Sequence, residues 1–542
     1  MTIGALKERG LVNRTTSFCS IWACLVLLFI SLTSHLLGEV RYDFTLVATS
    51  GDVVSGQTLG QVYDPILLGD SVAYTAHNDS LGYFVVKDGR ILASRNSQVS
   101  GRSLTGVLEG ALSLSPSVAF TGRLSNNELV VVRDGNVVAG PGSRIDGLTI
   151  MSAFSPSLWE EEMAYVARGS ENDYHIVRGN QILFSSGETI QGIPMVEVGT
   201  PSISGRNLSF AARDANFQLF VVRNQEIAAG PGMVVDGQLL SGAFEPSLST
   251  LDLAYTGLSD ELGQFVVVGQ DIVARQGDVI GGLTVQQAFQ PALDSTGKRL
   301  AIAFSHSRGS AIAVGEGTFR TYFAQVADGG GVFTDFSLLN LGESDVYGTL
   351  QFVSPDGSPR TVTVEGQSGS QFNLEIPING SVRITTEGSG QQALPGWAVL
   401  ETDGPVRGMA SYEYRIAGQL ATRVSVSGED PVYRATLTVD NQTQSDTGIA
   451  VANVADHPVR VRMTLRDQSG REVATRIDPR FDPLGVNHQV ADFVTAFFPQ
   501  VNGIHSFKGT LTVEVEGEGR IIVSSILLKE GLYNNVPVIQ VE

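Results

Sequence analysis

The sequence predicts an all-β protein: a six-bladed β-propeller followed by two β-sandwich domains. Three observations predict this fold class. A short pattern recurs six times in the first half, its last copy lacks one strand, and the second half consists of alternating strands separated by turns. A glycine marks the repeat at steps of 45, 46, 45, 45 and 45 residues: Gly56, Gly101, Gly147, Gly192, Gly237 and Gly282. A period of this size is typical of propeller blades.

Each unit contains signals for four strands. The first strand follows the glycine and carries a proline in five of the six units: Pro65, Pro156, Pro201, Pro246 and Pro291. The second places a small residue between two large ones, as in Val72-Ala73-Tyr74 and, in the sixth unit, Ile302-Ala303-Phe304. The third is a valine-rich run typical of a sheet covered on both faces. A two-residue turn such as Asp88-Gly89 then leads into the fourth strand.

The two ends of the repeat predict a closed ring. The sixth unit stops near residues 315–317 without a fourth strand, whereas Leu46-Val47-Ala48 stands before the first unit and matches the missing copy. We therefore expect the first strand to complete the last blade, which removes two exposed sheet edges. The predicted propeller spans residues 42–318.

The second half of the chain predicts two β-sandwiches, at residues 319–430 and 431–542. Residues 333–340 and 347–353, followed by the turn Pro355-Asp356-Gly357, are echoed by residues 447–453 and 459–465 and the turn Gln468-Ser469-Gly470. Short strands at this spacing without helical periodicity are typical of sandwiches. Residues 492–498 are expected to form one short helix.

The composition narrows the partners and the compartment. A formal net charge of −20 disfavours nucleic acid and anionic membrane surfaces. Residues 1–38 place Lys7, Arg9 and Arg14 before an apolar stretch, which is the order of a secretory signal; an uncleaved N-terminal anchor is the alternative. We expect a secreted, cell-surface or periplasmic protein that contacts a membrane only through this segment. Cys19 and Cys24 both lie within it, so disulfides are not expected to stabilise the rest.

Several segments carry a resemblance to known proteins. Residues 327–331 (Ala-Asp-Gly-Gly-Gly), Gly396-Trp397-Ala398 and residues 447–453 resemble segments of secreted bacterial proteins of unassigned function. The spacing of the first half is similar to that of WD40-like or TolB-like propellers, although the Gly-His and Trp-Asp pairs of WD40 repeats are missing. The resemblance implies an exported protein and brings no functional residues with it.

The search for chemistry in the sequence yields turn acids. The turn between the second and third strands carries an acid in five units: Asp79, Glu128, Asp173, Asp214 and Asp260. These side chains are expected on one face of the disc, opposite the hairpins near Lys87, Arg133, Arg178 and Arg223. They are candidate calcium ligands, as are Asp440, Asp446, Asp478 and Asp482 in the sandwiches. The alternative is that acids simply favour turns.

No catalytic motif is present. The seven histidines never fall at metal-site spacing, and no HExxH, GxSxG, Walker, Rossmann or sialidase Asp-box pattern occurs. Tyr83, Tyr174 and Phe217 could stack on a sugar, but their positions at strands favour a packing role.

We therefore expect an exported, non-enzymatic binding protein. Its propeller is a recognition platform for an extracellular protein or polysaccharide, its sandwiches are a spacer or docking arm, and it needs no cofactor unless calcium binds. One alternative is a hydrolase or lyase that acts on an extracellular polymer through acids, histidine and arginine in the central channel. A second alternative is a structural component of the cell envelope.

Overall fold

The structure is a computed structural model that describes residues 39–112, 117–171, 173–342, 344–416, 419–442, 444–499 and 506–540. The predicted signal or anchor at residues 1–38 lies outside the described residues. The strands of the first half are, in chain order, β1 (Glu39–Thr49), β2 (Val53–Val54), β3 (Gln57–Thr58), β4 (Gln61–Leu68), β5 (Ser71–Asn78), β6 (Gly82–Lys87), β7 (Arg90–Ala93), β8 (Gln98–Val99), β9 (Arg102–Leu112), β10 (Val118–Leu124), β11 (Leu129–Arg133), β12 (Asn136–Ala139), β13 (Arg144–Ile145), β14 (Leu148–Thr149), β15 (Ser152–Trp159), β16 (Glu162–Arg168), β17 (Tyr174–Arg178), β18 (Gln181–Ser185), β19 (Thr189–Ile190), β20 (Ile193–Ser204), β21 (Asn207–Asp214), β22 (Leu219–Arg223), β23 (Glu226–Ala229), β24 (Val234–Val235), β25 (Gln238–Leu239), β26 (Gly242–Leu248), β27 (Leu253–Ser259), β28 (Gly263–Val268), β29 (Asp271–Ala274), β30 (Val279–Ile280), β31 (Leu283–Thr284), β32 (Gln287–Leu293), β33 (Arg299–His306) and β34 (Gly309–Asp328).

These strands form a six-bladed propeller. Blades 1 to 5 are antiparallel sheets made of β4–β7, β9–β12, β15–β18, β20–β23 and β26–β29. Blade 6 contains β32, β33 and the first half of β34, and β1 pairs with β34 as its outermost strand. Leu46 lies opposite Ala313 and Ala48 opposite Ile312. The predicted closure of the ring by the first strand is confirmed.

The recurrent glycine belongs to a small two-stranded ribbon between successive blades. The glycine and the residue before it both have left-handed backbones at the ribbon tip, with φ of 45–55° and then 75–86°. This is the geometry of a type I′ hairpin turn, for which glycine is the favoured second residue. The ribbon covers the outer strand of the next blade: Ser100 Oγ accepts the Val137 N–H at 2.9 Å, and Asp146 Oδ2 accepts the Ile182 N–H at 3.2 Å. The ribbons therefore cover the outer edges of the blades, which protects these edges from pairing with strands of other chains.

The sixth blade corrects one predicted register. Ala301 pairs with Ala292, just as Ala73 pairs with Ile66 in blade 1. The equivalent of Val72-Ala73-Tyr74 is therefore Leu300-Ala301-Ile302, so the expected Ile302-Ala303-Phe304 was wrong by two residues. The cause is that residues 300–304 contain the large-small-large pattern twice, so the pattern alone does not fix the register. The repeat period does not fix it either, because six residues separate Leu293 from its partner Leu300, whereas four separate the paired residues 67 and 72 of blade 1.

The strands after the propeller form two sandwiches. They are β35 (Val332–Asn340), β36 (Val346–Val353), β37 (Val362–Val364), β38 (Gln367–Gly369), β39 (Gln371–Ile376), β40 (Ser381–Thr385), β41 (Leu394–Thr402), β42 (Val406–Ile416), β43 (Gln419–Ser427), β44 (Arg434–Gln442), β45 (Ser445–Asn453), β46 (Arg460–Asp467), β47 (Glu472–Arg476), β48 (Gln489–Phe493), β49 (Ser506–Glu516), β50 (Ile521–Lys529), β51 (Leu532–Asn535) and β52 (Val538–Gln540). A 3₁₀ turn at Pro479–Phe481 and the helix α1 (Val494–Phe497) lie among them. The predicted short helix at 492–498 is thus present and begins two residues later.

In the first sandwich the second half of β34 joins β41, β36 and β39, and this sheet packs on β40, β35, β42 and β43. In the second, β47, β46, β49, β44 and β52 face β48, β45, β50 and β51 across one apolar core. The 20-residue β34 belongs both to blade 6 and to the first sandwich. The predicted boundary at residues 318 and 319 therefore falls inside a continuous strand. No helix among the described residues has the length and apolar character needed to cross a membrane.

Candidate binding surface

The propeller presents two ends that differ in what their loops contain. The turns between second and third strands meet the bases of the ribbons at one end, where the Gly60 N–H binds the His77 carbonyl at 2.8 Å. We call this end the loop face. The hairpins between third and fourth strands lie at the opposite end, which we call the hairpin face.

The predicted metal acids lie on the loop face, one in each of five blades, and each has its own surroundings. Glu128 binds Arg102 at 3.0 Å, and Asp173 binds the ring of His175 at 2.7 Å. The carboxylate of Asp214 accepts the N–H groups of Asn216 and Gln218 in its own turn, both at 2.9 Å. Asp79 and Asp260 are exposed at their turns.

These acids are not brought into one cluster. Within the ranges that the structure describes, no three His, Cys, Asp or Glu side chains form a group suited to a metal ion. In the sandwiches, Asp440 pairs with Lys508, Asp478 with Arg480, and Asp482 with Arg460, while Asp446 accepts a hydrogen bond from Thr495. The calcium hypothesis remains a prediction without a prepared site.

The arginines of the hairpin face act between blades. Arg178 Nη2 donates to the Gly205 carbonyl of the next blade at 2.5 Å, and its Nε donates to Glu162 at 2.7 Å. Arg133 of blade 2 similarly reaches the carbonyl and carboxylate of Glu161 in blade 3, at 2.9 and 2.8 Å. Because these cations are paired with acids of their own face, the predicted contrast between a basic and an acidic face is smaller than the positions of the arginines suggested.

The first strands of the blades line the central channel, and the five repeated prolines are among the lining residues. The residue before each proline lies at a bulge of the same strand. In the described blades this residue is Asp64, Ser155, Thr200, Glu245 or Gln290, each with a left-handed backbone at a β-bulge. Gln290 joins two of them: its N–H donates to Glu245 Oε2 at 3.0 Å and its side chain binds Asp64. Among these five positions none is histidine or arginine. These positions thus provide two acids, Asp64 and Glu245, of the kind that the hydrolase alternative needs, but not its predicted histidine or arginine.

Blade 3 contains a hydrogen-bonded chain of acid, histidine and serine. His175 Nε2 lies 2.7 Å from Asp173 Oδ2, and its Nδ1 lies 2.9 Å from Ser185 Oγ. A nucleophilic serine also needs free N–H donors for the oxyanion. The N–H of Ser185 binds Glu188, that of Ser186 binds the Tyr174 carbonyl, and that of Gly187 binds the Met195 carbonyl. These three N–H groups are therefore already hydrogen-bonded within the chain and are not free to bind an oxyanion.

Exposed apolar side chains lie on the loop face of blades 3 and 4. Met151 and Val196 occupy the same position in the two units, immediately before or within the first strand, and are 56% and 46% exposed. Phe217 is 74% exposed at the turn of blade 4, with the guanidinium of Arg213 4.9 Å from its ring centre. Blades 3 and 4 pack against each other through β15 and β20. We call Met151, Val196 and Phe217 the loop-face patch.

The sequence did not predict this patch. Phe217 was expected to pack, and so was Tyr83, which is 43% exposed beside His77 and Tyr63 on blade 1. A signal was available, since Phe217 occupies a turn position where a neighbouring unit has asparagine. Tyr174 is half-buried against Phe154, as its strand position suggested.

The second sandwich contacts the propeller through a half-buried ionic cluster. Arg520 donates to Asp236 at 2.5 and 3.0 Å and to Asp271 at 2.5 Å, and the Tyr433 hydroxyl donates to Asp236 at 2.5 Å. Burial raises the pKa of Asp271 to about 6, against the opposing effect of Arg520. Burial and Asp236 raise the pKa of Tyr433 to about 12. We call these four residues the propeller clamp.

A cleft of about 690 Å³ lies beside the propeller clamp, between β1, β29 and the loops at residues 454–457 and 517–520. Its charged side chains bind one another: Arg41 pairs with Glu39 at 2.8 Å and His457 with Asp456 at 2.7 Å. Asp456 raises the pKa of His457, which is also bound to the Glu518 carbonyl. These charged side chains of the cleft are therefore already paired within the chain.

Comparisons with known proteins reach only the level of the fold. Neither a family model nor a curated protein matches the sequence. Among solved structures, a Trypanosoma rangeli sialidase in complex with sialic acid is 9% identical, with 91% of this chain and 94% of the sialidase covered and a TM-score of 0.32. The exo-β-1,3-galactanase of Phanerochaete chrysosporium is 10% identical over 66% of this chain and all of its own, with a TM-score of 0.26.

The WD40 β-propeller domain of Doa1 is 11% identical, with 52% of this chain and 96% of the domain covered and a TM-score of 0.26. TM-scores this low carry no argument about the site, and fold alone does not imply function. The functional conclusion must come from the surfaces of this chain.

Proposed function

We propose that this chain is an exported, non-enzymatic binding protein whose propeller recognises an extracellular partner through its loop face. The observation that carries the proposal is the loop-face patch. Met151, Val196 and Phe217 leave large apolar surfaces in water on two adjacent blades, and such patches mark interaction sites more often than isolated exposed residues do. Phe, Met and Arg are also enriched in the cores of protein interfaces.

The sandwiches support the role of a fixed arm. β34 runs from blade 6 into the first sandwich without a linker, and at ~3.3 Å per residue its 20 residues extend about 65 Å. The propeller clamp ties the second sandwich to blade 5. Between the sandwiches, Gln489 Nε2 donates to the carbonyls of Ala324 and Gly396 at 2.6 and 2.9 Å. An arm held at three places would set the direction in which the loop face points.

The test is a binding screen of the chain against a random-peptide display library and a glycan array. The comparison variant carries Met151→Ser and Val196→Ser, and the control carries Val138→Ser, an apolar residue 45% exposed on a fourth strand. We expect ligands that bind the chain and the control but lose at least tenfold in affinity for the double variant. Ligands that bind all three proteins equally would contradict the proposed surface. A well-folded chain that captures no ligand from either panel would instead favour a structural envelope component.

The Asp173–His175–Ser185 chain favours one second candidate function, a hydrolase of extracellular polymers. In that case the chain would turn over a glycoside or ester panel, and Ser185→Ala would abolish the turnover while leaving the fold intact. The absence of turnover is the result that the binding proposal expects, because the nearby N–H donors are already bonded. Turnover that survives Ser185→Ala would contradict both the binding proposal and this candidate site.

A further inference from the structure

The turn that carries Phe217 has a counterpart in blade 2. In blade 4 the Phe217 N–H binds the Asp214 carbonyl and the Asp214 N–H binds the Gln218 carbonyl, both at 3.1 Å. In blade 2 Asn127 binds Leu124, and Leu124 binds Glu128, in the same pattern at 2.9 Å. The two turns are thus the same structure with different residues at one position.

That position requires a left-handed backbone. The φ angle is 63° at Asn127 and 64° at Phe217. Asparagine adopts this conformation readily, whereas a bulky residue with a β-carbon does so only at an energetic cost. Left-handed non-glycine residues persist where the surrounding structure enforces them, and they cluster at functional sites. In blade 4, Asp214 enforces the turn by accepting two backbone N–H groups.

Burial within the chain does not repay this cost. The Phe217 side chain is 74% exposed, and Arg213 covers one side of the ring at 4.9 Å. Arg213 is itself fixed by an ion pair with Glu197. The blade therefore holds an aromatic ring in water, in a strained turn, over an anchored guanidinium. A partner that covers the ring would supply the missing burial.

The charge around the patch indicates the partner. On blades 3 and 4 the acids of the loop face outnumber its arginines: Glu171, Asp173, Glu188, Glu197 and Asp214 against Arg168 and Arg213. Asp173, Glu197 and Asp214 are bonded within the chain, to His175, to Arg213 and to backbone N–H groups. The excess of negative charge that faces solvent therefore comes from Glu171 and Glu188. Glu171 and Glu188 are exposed at the rim. An acidic rim around an apolar centre attracts a cationic partner and repels an anionic one.

We propose that the loop face of blades 3 and 4 binds a basic polypeptide segment. Apolar side chains of the segment pack on Phe217, Val196 and Met151, and its Lys or Arg residues face the acidic rim. The proposal rests on the proposed function, which it deepens by naming the partner class and Phe217 as the residue that determines specificity.

The test uses dodecapeptides selected from a random display library on the full chain and then synthesised. We expect the selected sequences to place Lys or Arg around apolar residues. Phe217→Asn should weaken their binding at least tenfold while raising the melting temperature of the free protein, because asparagine relieves the strain. Binding should also weaken as salt rises from 50 to about 300 mM, since exposed charge pairs are screened.

The matched control is Asn127→Phe, which places the same strained ring on blade 2. It should lower the melting temperature and leave peptide affinity unchanged. Peptides that are acidic, peptides that bind Phe217→Asn as well as the unmodified chain, or a glycan whose binding needs Phe217 would each overturn the inference. If Met151→Ser with Val196→Ser abolishes binding but Phe217→Asn does not, this inference fails and the proposed function stands. If neither variant changes binding, both fail.

Discussion

The loop-face patch and the propeller clamp are both built on turns that project from the blades, but only the clamp is covered. At the clamp, the ribbon tip at Asp236 is contacted by Tyr433 and Arg520 from the second sandwich. At the patch, Phe217 is exposed beside Arg213. The clamp is an interface completed within the chain, and we interpret the patch as an interface that needs another molecule. Substitutions at completed interfaces should therefore change stability, and substitutions at the patch should change binding.

The largest effect on stability is expected at the clamp. Arg520→Ala leaves the half-buried Asp236 and Asp271 without their cation. We expect the free energy of unfolding to fall by about 3 kcal/mol, since each hydrogen-bonded ion pair that is lost contributes ~1.5 kcal/mol. Urea denaturation measures this change. The loss should be smaller at pH 4.5 than at pH 7.5, because the carboxyl of Asp271, with a pKa of about 6 even beside Arg520, takes up a proton at the lower pH.

The control for the clamp is Arg41→Ala, which removes an ion pair on the exposed side of the same cleft. Its arginine side chain is 52% exposed, so the change should stay within about 0.5 kcal/mol. Equal losses for the two variants would mean that the clamp is no better an interface than an ordinary surface pair.

The joint between the sandwiches gives the next effect, with the opposite sign. Glu429 accepts the Ala324 N–H at 2.8 Å, its Oε1 is buried without a hydrogen-bond partner among the described residues, and burial raises its pKa to about 8 from the ordinary 4.5. Between pH 4.5 and pH 8 the carboxyl of Glu429 is mostly protonated in the folded chain and mostly ionised in the unfolded chain. Stability therefore falls as pH rises through this window.

Glu429→Gln removes this dependence, because glutamine carries no titrating proton. We expect the variant to be more stable than the parent by about 2 kcal/mol at pH 6 and nearly equal to it at pH 4.5, because pH 6 lies about 1.5 units above the ordinary pKa of glutamate and each unit corresponds to ~1.4 kcal/mol. Thermal melts across the pH range measure the difference. Asp430→Asn, at an acid paired with Arg407, is the neighbouring control and should not gain stability with pH. A difference independent of pH would show that the carboxyl of Glu429 is ionised in the fold.

The hydrogen bonds between blades at the hairpin face form another interface within the chain, and substitutions there should have an intermediate effect on stability. Arg178→Ala removes hydrogen bonds from a cation to a carbonyl of the next blade and to Glu162, and we expect a loss of about 1.5 kcal/mol. Arg178→Lys should recover only part of it, because an ammonium cannot reproduce the guanidinium fork. Peptide binding on the loop face should be unchanged. Reduced binding by a folded Arg178→Ala protein would break the proposed separation of the two faces.

The smallest effect on stability is expected at Val196, a residue of the patch whose backbone is not strained. Val196→Ser changes an exposed side chain away from any cap or core, so the free energy of unfolding should move by less than about 0.5 kcal/mol. The same substitution should weaken the binding of selected peptides several-fold. A large loss of stability would place Val196 among the packed residues of blade 4 and remove it from the binding surface.

The sequence predicted the features of the fold that recur from unit to unit. Local turn chemistry and strand patterning, which recur in every unit, predicted the period of the glycines and the missing fourth strand of the sixth unit. Strand patterning also predicted the alternating strands of the second half. The shifted register of blade 6 could not be predicted by period alone, because its first turn has two additional residues between the paired residues Leu293 and Leu300.

Contacts made once in the chain were not predictable. Arg520 and Asp236 are 284 residues apart and belong to different domains, so no local pattern joins them. The turn acids were predicted on the correct loops, but their ligands are backbone N–H groups and neighbouring side chains rather than one another. Phe217 was missed because its residue type suggested packing, whereas its turn position, shared with Asn127, required a left-handed backbone.

The most direct test of the central claim is the hydrogen–deuterium exchange footprint of a selected peptide on the full chain. The account predicts slower exchange at residues 151–154, 194–198 and 213–218, which carry the loop-face patch, with no change at residues 124–128 of blade 2 or 517–520 of the second sandwich. Protection confined to the hairpin face, to the channel or to the cleft beside Arg520 would contradict it.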